Sequence, residues 1–288
     1  MPSTRPQFYT LPHGCLLTRL PVSPPIFPNM LHFFVFILLL SSTTVLSSDD
    51  KLVLIAGDNW CPVNCGETDK NKGFMIDVAT EALAISGYEV RYIEMPWLRA
   101  IHQTREGKVH AIVGAFKDDA PDFYFPKVPI LKLSPNTLFT LSDSTWTYKN
   151  QHSLNKIRLG AVQGYDYGNL LNAYIKSHRS SPNNYITLLS GDNVVSRSLN
   201  LLISKRIDAY VDAGPVVWYQ AKQLGISEKI KSVGSVSPPE PAYIAFSPRL
   251  QNSEQLTLAL DLGVLRLQLD GRLAEIANKY GLQEIHYK

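Results

Sequence analysis

Cysteine is scarce here, with three in 288 residues. The sequence also lacks an apolar run of the roughly 20 residues that a membrane-crossing helix needs. It has no repeat of solenoid period and no excess of one charge. Each absence excludes something. The longest apolar core, Phe33 to Leu40, is too short to span a bilayer. With no second cysteine pair and no histidine close to the first, a zinc site would be short of ligands. The first 48 residues hold Arg5 and Arg19 and no acid, so residues 49–288 carry 26 basic and 25 acidic side chains. That balance gives no basic surplus for nucleic acid and no acidic tail.

The short apolar core is followed by small residues, "SSTTVLSS", and has the form of a secretory signal peptide. Val45 and Ser47 suit the −3 and −1 positions of cleavage, and Met30 is an alternative start. An uncleaved anchor is the competing reading. No cysteine follows the apolar core, so a lipid-modified N-terminus is not expected. Residues 1–48 are read as leader. About 240 residues remain, enough for one large domain or two small ones. The expected product is exported, periplasmic or otherwise extracytoplasmic, and soluble after cleavage.

Cys15 lies in the leader, which leaves Cys61 and Cys65 in "NWCPVNCGE". A redox pair is usually C-x-x-C, one residue shorter. In an oxidising compartment the better reading is a local disulfide that holds the shape of its loop. A loop so short contributes less by chain entropy than a long-range bridge would.

The rest of the chain alternates apolar strands with amphipathic helices, which argues for an α/β fold with largely parallel sheets. Strands are expected at 51–56, 88–94 and 110–116, with helices from 74 and 96 between them. Residues 117–135 are proline-rich and read as loop, and a strand follows at 136–142. A second strand-helix series runs to "PVVWYQAKQLG". A strand at 242–248 and helices at 249–269 and 271–280 close the chain.

Several stretches together resemble the extracytoplasmic solute-binding proteins of the amino-acid-binding type, family 3, which serve ABC importers. The stretches are "GFMIDVATEALAISGYEV", "REGKVHAIVGAF" with His110 in place of the family's Asp, "IRLGAVQGYDYGNLL", "SKRIDAYVD" and "LDGRLAEIANKYGL". The resemblance implies a two-lobed periplasmic-binding-protein-like (type II) fold, two α/β lobes joined by two hinge strands with the ligand between them. Lobe one would be 49–137 plus 246–288, and lobe two 138–245. Closure would hinge at Thr137–Leu141 and Tyr243–Ser247. The implied function is binding a small polar solute, an amino acid or related carboxylate, for an ABC importer.

Ligands in such sheets sit beyond the carboxyl ends of strands. Asp58, Asn59 and Trp60 end the first strand, and the Cys61–Cys65 loop would present Trp60. Trp97 and Arg99 lie in the first turn of a helix. Arg99 faces the end of the helix dipole that prefers anions, so a ligand carboxylate would explain its place. Gly114, Ala115 and Phe116 allow close approach to backbone. Gly164, Tyr165 and Asp166 are read as opening a helix whose free N–H groups could receive an anion. The resemblance assigns a ligand ammonium to Asp212. The family's carboxylate-clamping Arg has no counterpart in "FKDDAPDFYFP", so Arg99 takes that role or the ligand is not an ordinary α-amino acid.

No cofactor, metal or catalytic residue is expected. The expected partners are the small-molecule ligand and, transiently, an ABC permease, with the protein itself a monomer. Two alternatives stand beside transport: a sensing module acting on a membrane receptor, and a lyase-type enzyme on the same scaffold. His102, His110 and Glu94 are the only acid–base candidates for the latter.

Overall fold

Apolar patterns of period 2 and period 3.6 alternate along the chain, and the strands they produce collect into two separate sheets. A computed structural model describes residues 51–282 apart from 135, 181, 182 and 184, all within one unit, Ser47–Lys288. The expected leader and its cleavage site lie outside the described residues. Among the described residues no helix is long and apolar enough to cross a membrane.

The first series is β1 (Leu52–Gly57), α1 (Phe74–Ala84), β2 (Glu89–Glu94), α2 (Trp97–Arg105) and β3 (Ala111–Ala115). Short strands β4 (Leu131–Leu133) and β5 (Thr137–Leu141) follow. The second series is β6 (Leu159–Val162), α3 (Gly168–His178), β7 (Ile186–Leu189), α4 (Val194–Ile203), β8 (Ala209–Asp212) and α5 (Gly214–Gln223). Then come β9 (Ile230–Ser235), β10 (Glu240–Phe246), α6 (Ser253–Leu269) and α7 (Arg272–Lys279).

One sheet has the order β2-β1-β3-β10-β4 and the other β7-β6-β8-β5-β9. In each, the first three strands pair in parallel, and the fourth (β10 or β5) is antiparallel to both its neighbours. Both sheets are buried by helices, so their central strands are mostly apolar: every residue of β3, β6 and β8 is buried, Asp212 being the one charged exception. That is the pattern of covered parallel strands.

The chain crosses between sheets twice, between β4 and β5 and between β9 and β10. The second crossing differs from expectation. Residues 240–245 fall in the expected lobe two, yet all of β10 is bonded to β3 and β4 in the first sheet. The expected hinge strands, 137–141 and 243–247, are therefore ladder strands inside one sheet or the other. The crossings themselves are stitched side by side through fully buried Asn136. Its Nδ2 donates to Tyr167 O at 3.0 Å, and its Oδ1 accepts from Ser237 N at 3.0 Å. Its carbonyl accepts from Val236 N at 3.1 Å.

Candidate functional site

Cys61 and Cys65 are bonded, with Cα atoms 4.4 Å apart. The closed loop folds back on itself, Trp60 N donating to Asn64 O at 2.8 Å. Its carbonyls cap a helix. Pro62 O accepts from Phe74 N and Val63 O from Met75 N, both at 2.9 Å, so the loop supplies the acceptors that the start of α1 lacks. Asn64 turns inward and donates to the carbonyl of Asp58. The staple thus fixes Asp58 and Trp60 at the carboxyl end of β1. An unreduced, unfolded sample of residues 49–288 should contain no reactive thiol. Replacing both cysteines by alanine should cost about 2 kcal/mol, the entropy of so small a loop. Two thiols before reduction would show the staple absent.

Beyond the strand ends lies a cavity of about 20 Å³, room for roughly one water. Asp58 and Trp60 reach it from β1, Trp97 from α2, and Gly114, Phe116 and Asp119 from the end of β3 and the turn after it. Tyr165 and Asp166 reach it from the loop after β6, in the second lobe. Tyr165 stands among the aromatic rings of the lining. Its ring meets Trp60 and Trp97 edge-on, with centroids 6.3 and 6.2 Å away, and Trp60 meets Phe116 edge-on at 6.5 Å.

Four hydrogen bonds cross between the lobes here. The Tyr165 hydroxyl donates to Asp58 Oδ2, and Trp60 Nε1 donates to Asp212 Oδ1 at 2.8 Å. Trp97 Nε1 donates to Gly164 O at 3.0 Å, and the Asp166 amide donates to Asp119 Oδ1 at 3.1 Å. Leu98 packs so closely on Gly164 (φ +87°) that an added Cβ would stand 2.3 Å from its Cδ2. Only glycine suits both that approach and that backbone.

A family model describing bacterial extracellular solute-binding proteins, family 3, matches residues 52–283. The chain belongs to that family. Solved structures share the fold. An ABC uptake transporter substrate-binding protein from Streptococcus pneumoniae with bound histidine has 18% identity and TM-score 0.67, covering 84% of this chain and 96% of that one. An ancestral arginine-binding protein with bound arginine has 19% identity and TM-score 0.65, covering 80% and 98%. A histidine kinase sensor domain has 15% identity and TM-score 0.66, covering 82% and 98%. At these identities the likeness is one of fold. No curated protein matches the sequence.

In this solute-binding protein the carboxyl groups at the cavity are strongly perturbed. Burial pushes Asp58 up to about 7, helped by the charge of Asp212, while the bond from Tyr165 pulls it down. Burial pushes Asp119 up to about 8, with the charges of Asp166 and Asp58 adding to it; the amides of Phe116 and Asp166 oppose. Asp212 is fully buried and rises to about 6, again by burial, against the bonds from Tyr210, Trp60 and Ala213. Among the lining residues there is no Lys, Arg or His to offset these acids.

Seven residues expected at the site line the cavity: Asp58, Trp60, Trp97, Gly114, Phe116, Tyr165 and Asp166. Five stand elsewhere. Arg99 is exposed, because α2 buries Trp97, Ala100, Ile101 and Thr104 and turns position 99 to the outside. Asn59 lines a separate polar depression with Tyr219. Ala115 is buried in the hydrophobic core beside Trp97 and Ala245. Gly164 offers its carbonyl to Trp97, and Asp212 is engaged by Trp60 behind the cavity wall. Nor do residues 164–166 open a helix. α3 starts at Gly168, and Asp166 caps it from outside by accepting from Gly168 N at 3.0 Å.

Asp119 is the residue that sequence reasoning missed. It stands in a single 3-10 turn, Lys117–Asp119, inside a stretch read as loop, where no periodicity marks a side chain as inward. The acid–base candidates stand apart from the cavity. His110 accepts from Leu54 N at 3.0 Å, Glu94 accepts from Glu67 N at 3.1 Å, and His102 is exposed.

Proposed function

We propose that the mature protein binds a small polar solute between its lobes outside the cytoplasm and delivers it to an ABC importer. The observation that carries this reading is the cavity itself. It is built from both lobes at strand carboxyl ends, walled by aromatic rings and closed by four cross-lobe hydrogen bonds. Opening would break those four bonds and bend the chain at the two crossings near Asn136, which deform more easily than ladder strands do. Residues 49–134 plus 240–288 would then move as one body and 137–235 as the other. The leader would be removed near Ser47 or Ser48.

A thermal-shift screen of residues 49–288 against amino acids, amines and carboxylates tests the reading. A solute at 100 times its dissociation constant adds about 2.7 kcal/mol, or roughly 5–10 °C for a domain of this size. No stabilisation by any small solute at millimolar concentration would overturn it. Sensing on behalf of a membrane receptor is the second reading, favoured by the sensor domain of the same fold. Deleting the gene separates the two: loss of solute uptake marks transport, and loss of a transcriptional response with uptake intact marks sensing.

A further inference from the structure

We propose that the solute is an organic cation, an amine or guanidinium compound without a carboxylate, taken up with the lobes parted and Tyr165 displaced, its N–H groups donated to Asp58 and Asp119 beside the aromatic rings. The proposal rests on the solute-binding reading above and narrows it.

Consider first what an anion would meet. Asp58, Asp119 and Asp166 line the cavity and no cationic side chain does. The one amide of the 164–166 turn that faces the opposite lobe, Asp166 N, is already given to Asp119. A carboxylate would enter among three acids and meet no cationic side chain. Arg99, the side chain expected to clamp it, is exposed.

A cation meets the opposite conditions. Trp60 and Trp97 meet Tyr165 edge-to-face and Phe116 meets Trp60 so, and an aromatic lining is the kind of wall whose ring faces attract positive charge. The Tyr165 hydroxyl shows where a donor belongs, since it is an O–H pointed at Asp58 Oδ2. A second, independent feature agrees. Asn64 is wholly buried, its Oδ1 has no hydrogen-bond partner among the described residues, and it faces Gly114 in the cavity wall. A Cβ on Gly114 would stand 3.3 Å from that oxygen, which lies behind the glycine and is not itself part of the lining. Among the described residues no three acidic, histidine or cysteine groups gather closely enough for a metal ion, which favours an organic cation. The raised carboxyl groups fit the same picture, because a bound cation would restore the ionised form that burial opposes.

Calorimetry on residues 49–288 with matched pairs tests the proposal: cadaverine against lysine, agmatine against arginine, histamine against histidine, with glutarate as an anion. At least one amine should bind, and its amino acid should bind about 10-fold or more weakly. Asp119→Asn should weaken that amine about 30-fold or more, the usual loss of a charged partner in a closed site. Its melting temperature should lie nearer the parent at pH 8 than at pH 5, because the neutral amide replaces a carboxyl that burial opposes ionising while one of its two amide donors loses an acceptor. Asp166→Asn, which keeps an oxygen for the α3 cap, gives a second reading of the charge effect without loss of fold. An amino acid binding as tightly as its amine overturns the proposal, and so does silence of every amine. Binding of glutarate or an amino acid alongside that silence leaves the solute-binding reading standing. Silence of the whole panel counts against both.

Discussion

Asp212→Ala is expected to lower the melting temperature by roughly 10 °C and to weaken solute binding, although Asp212 does not line the cavity. The carboxylate is fully buried and accepts from three donors: Trp60 Nε1 at 2.8 Å, Ala213 N at 2.7 Å and the Tyr210 hydroxyl. Alanine leaves all three without an acceptor, at about 1–3 kcal/mol for each buried donor that water cannot reach. A total of about 3–5 kcal/mol corresponds to the stated shift at 2–4 °C per kcal/mol. The functional loss follows from Trp60, which would no longer be held against the second lobe. Asp212→Asn keeps one acceptor oxygen and should fall between. At pH 8 the asparagine variant should come nearer the parent, since the parent then carries an ionised group that burial opposes. A double-mutant cycle with Trp60→Phe should show coupling on the order of 1 kcal/mol or more. Melting of Asp212→Ala within a degree of the parent would mean that the Trp60–Asp212 bridge does not form.

How much of this was legible depends on which residues carry a period. The helices and the buried strands announced themselves, since every inward position of α1 and all of β3 are apolar. Strand β9 did not. "IKSVGS" mixes exposed serines and a half-buried lysine with Gly234, as an edge strand does when only one side is paired. Strand β4, three residues between prolines, offers too few positions to show alternation. The place of β10 was hidden for another reason, because pairing partners across some 130 residues leave no local trace. At the site, strand ends were readable because a loop must follow an apolar run, and Trp60, Gly114 and Tyr165 were found that way. Arg99 was misplaced by an argument from dipole position when the better guide was already in the sequence. Trp97, Ala100, Ile101 and Thr104 follow the i, i+3, i+4, i+7 pattern, which leaves 99 facing out. The charge of the cavity was less accessible. It arises because Asp58, Asp119 and Asp166 come from three separate turns and converge only when both lobes are in place.

Convergence of those acids gives the protein an uncommon dependence on pH: its melting temperature should fall as pH rises from about 5 to about 8.5. Asp58, Asp119 and Asp212 have folded values of about 7, 8 and 6 against an ordinary 3.8. The folded state therefore holds these protons more tightly than the unfolded chain. Their contribution to stability is complete below about pH 4 and is lost as pH climbs through 6 to 8. Asp58 faces Tyr165, Asp212 and Glu94, and Asp119 faces Asp166 and Asp58, so no cation on the packed elements reverses the sign. Glu81, Asp122 and Asp208 run the other way, lowered by Arg272, Arg105 and Arg158, and lose their contribution as pH falls toward 4. Those pairs are surface pairs of small worth, so the two trends place the optimum near pH 5. Parting the lobes rehydrates the cavity acids without unfolding the sheets, which bounds the fall to on the order of 2–4 kcal/mol, or roughly 5–15 °C. Scanning calorimetry of residues 49–288 from pH 4 to pH 9 measures it. Asp119→Asn should flatten the upper part of the curve, and a melting temperature that rises or stays level from pH 5 to pH 8.5 would show that these carboxyl groups ionise without cost.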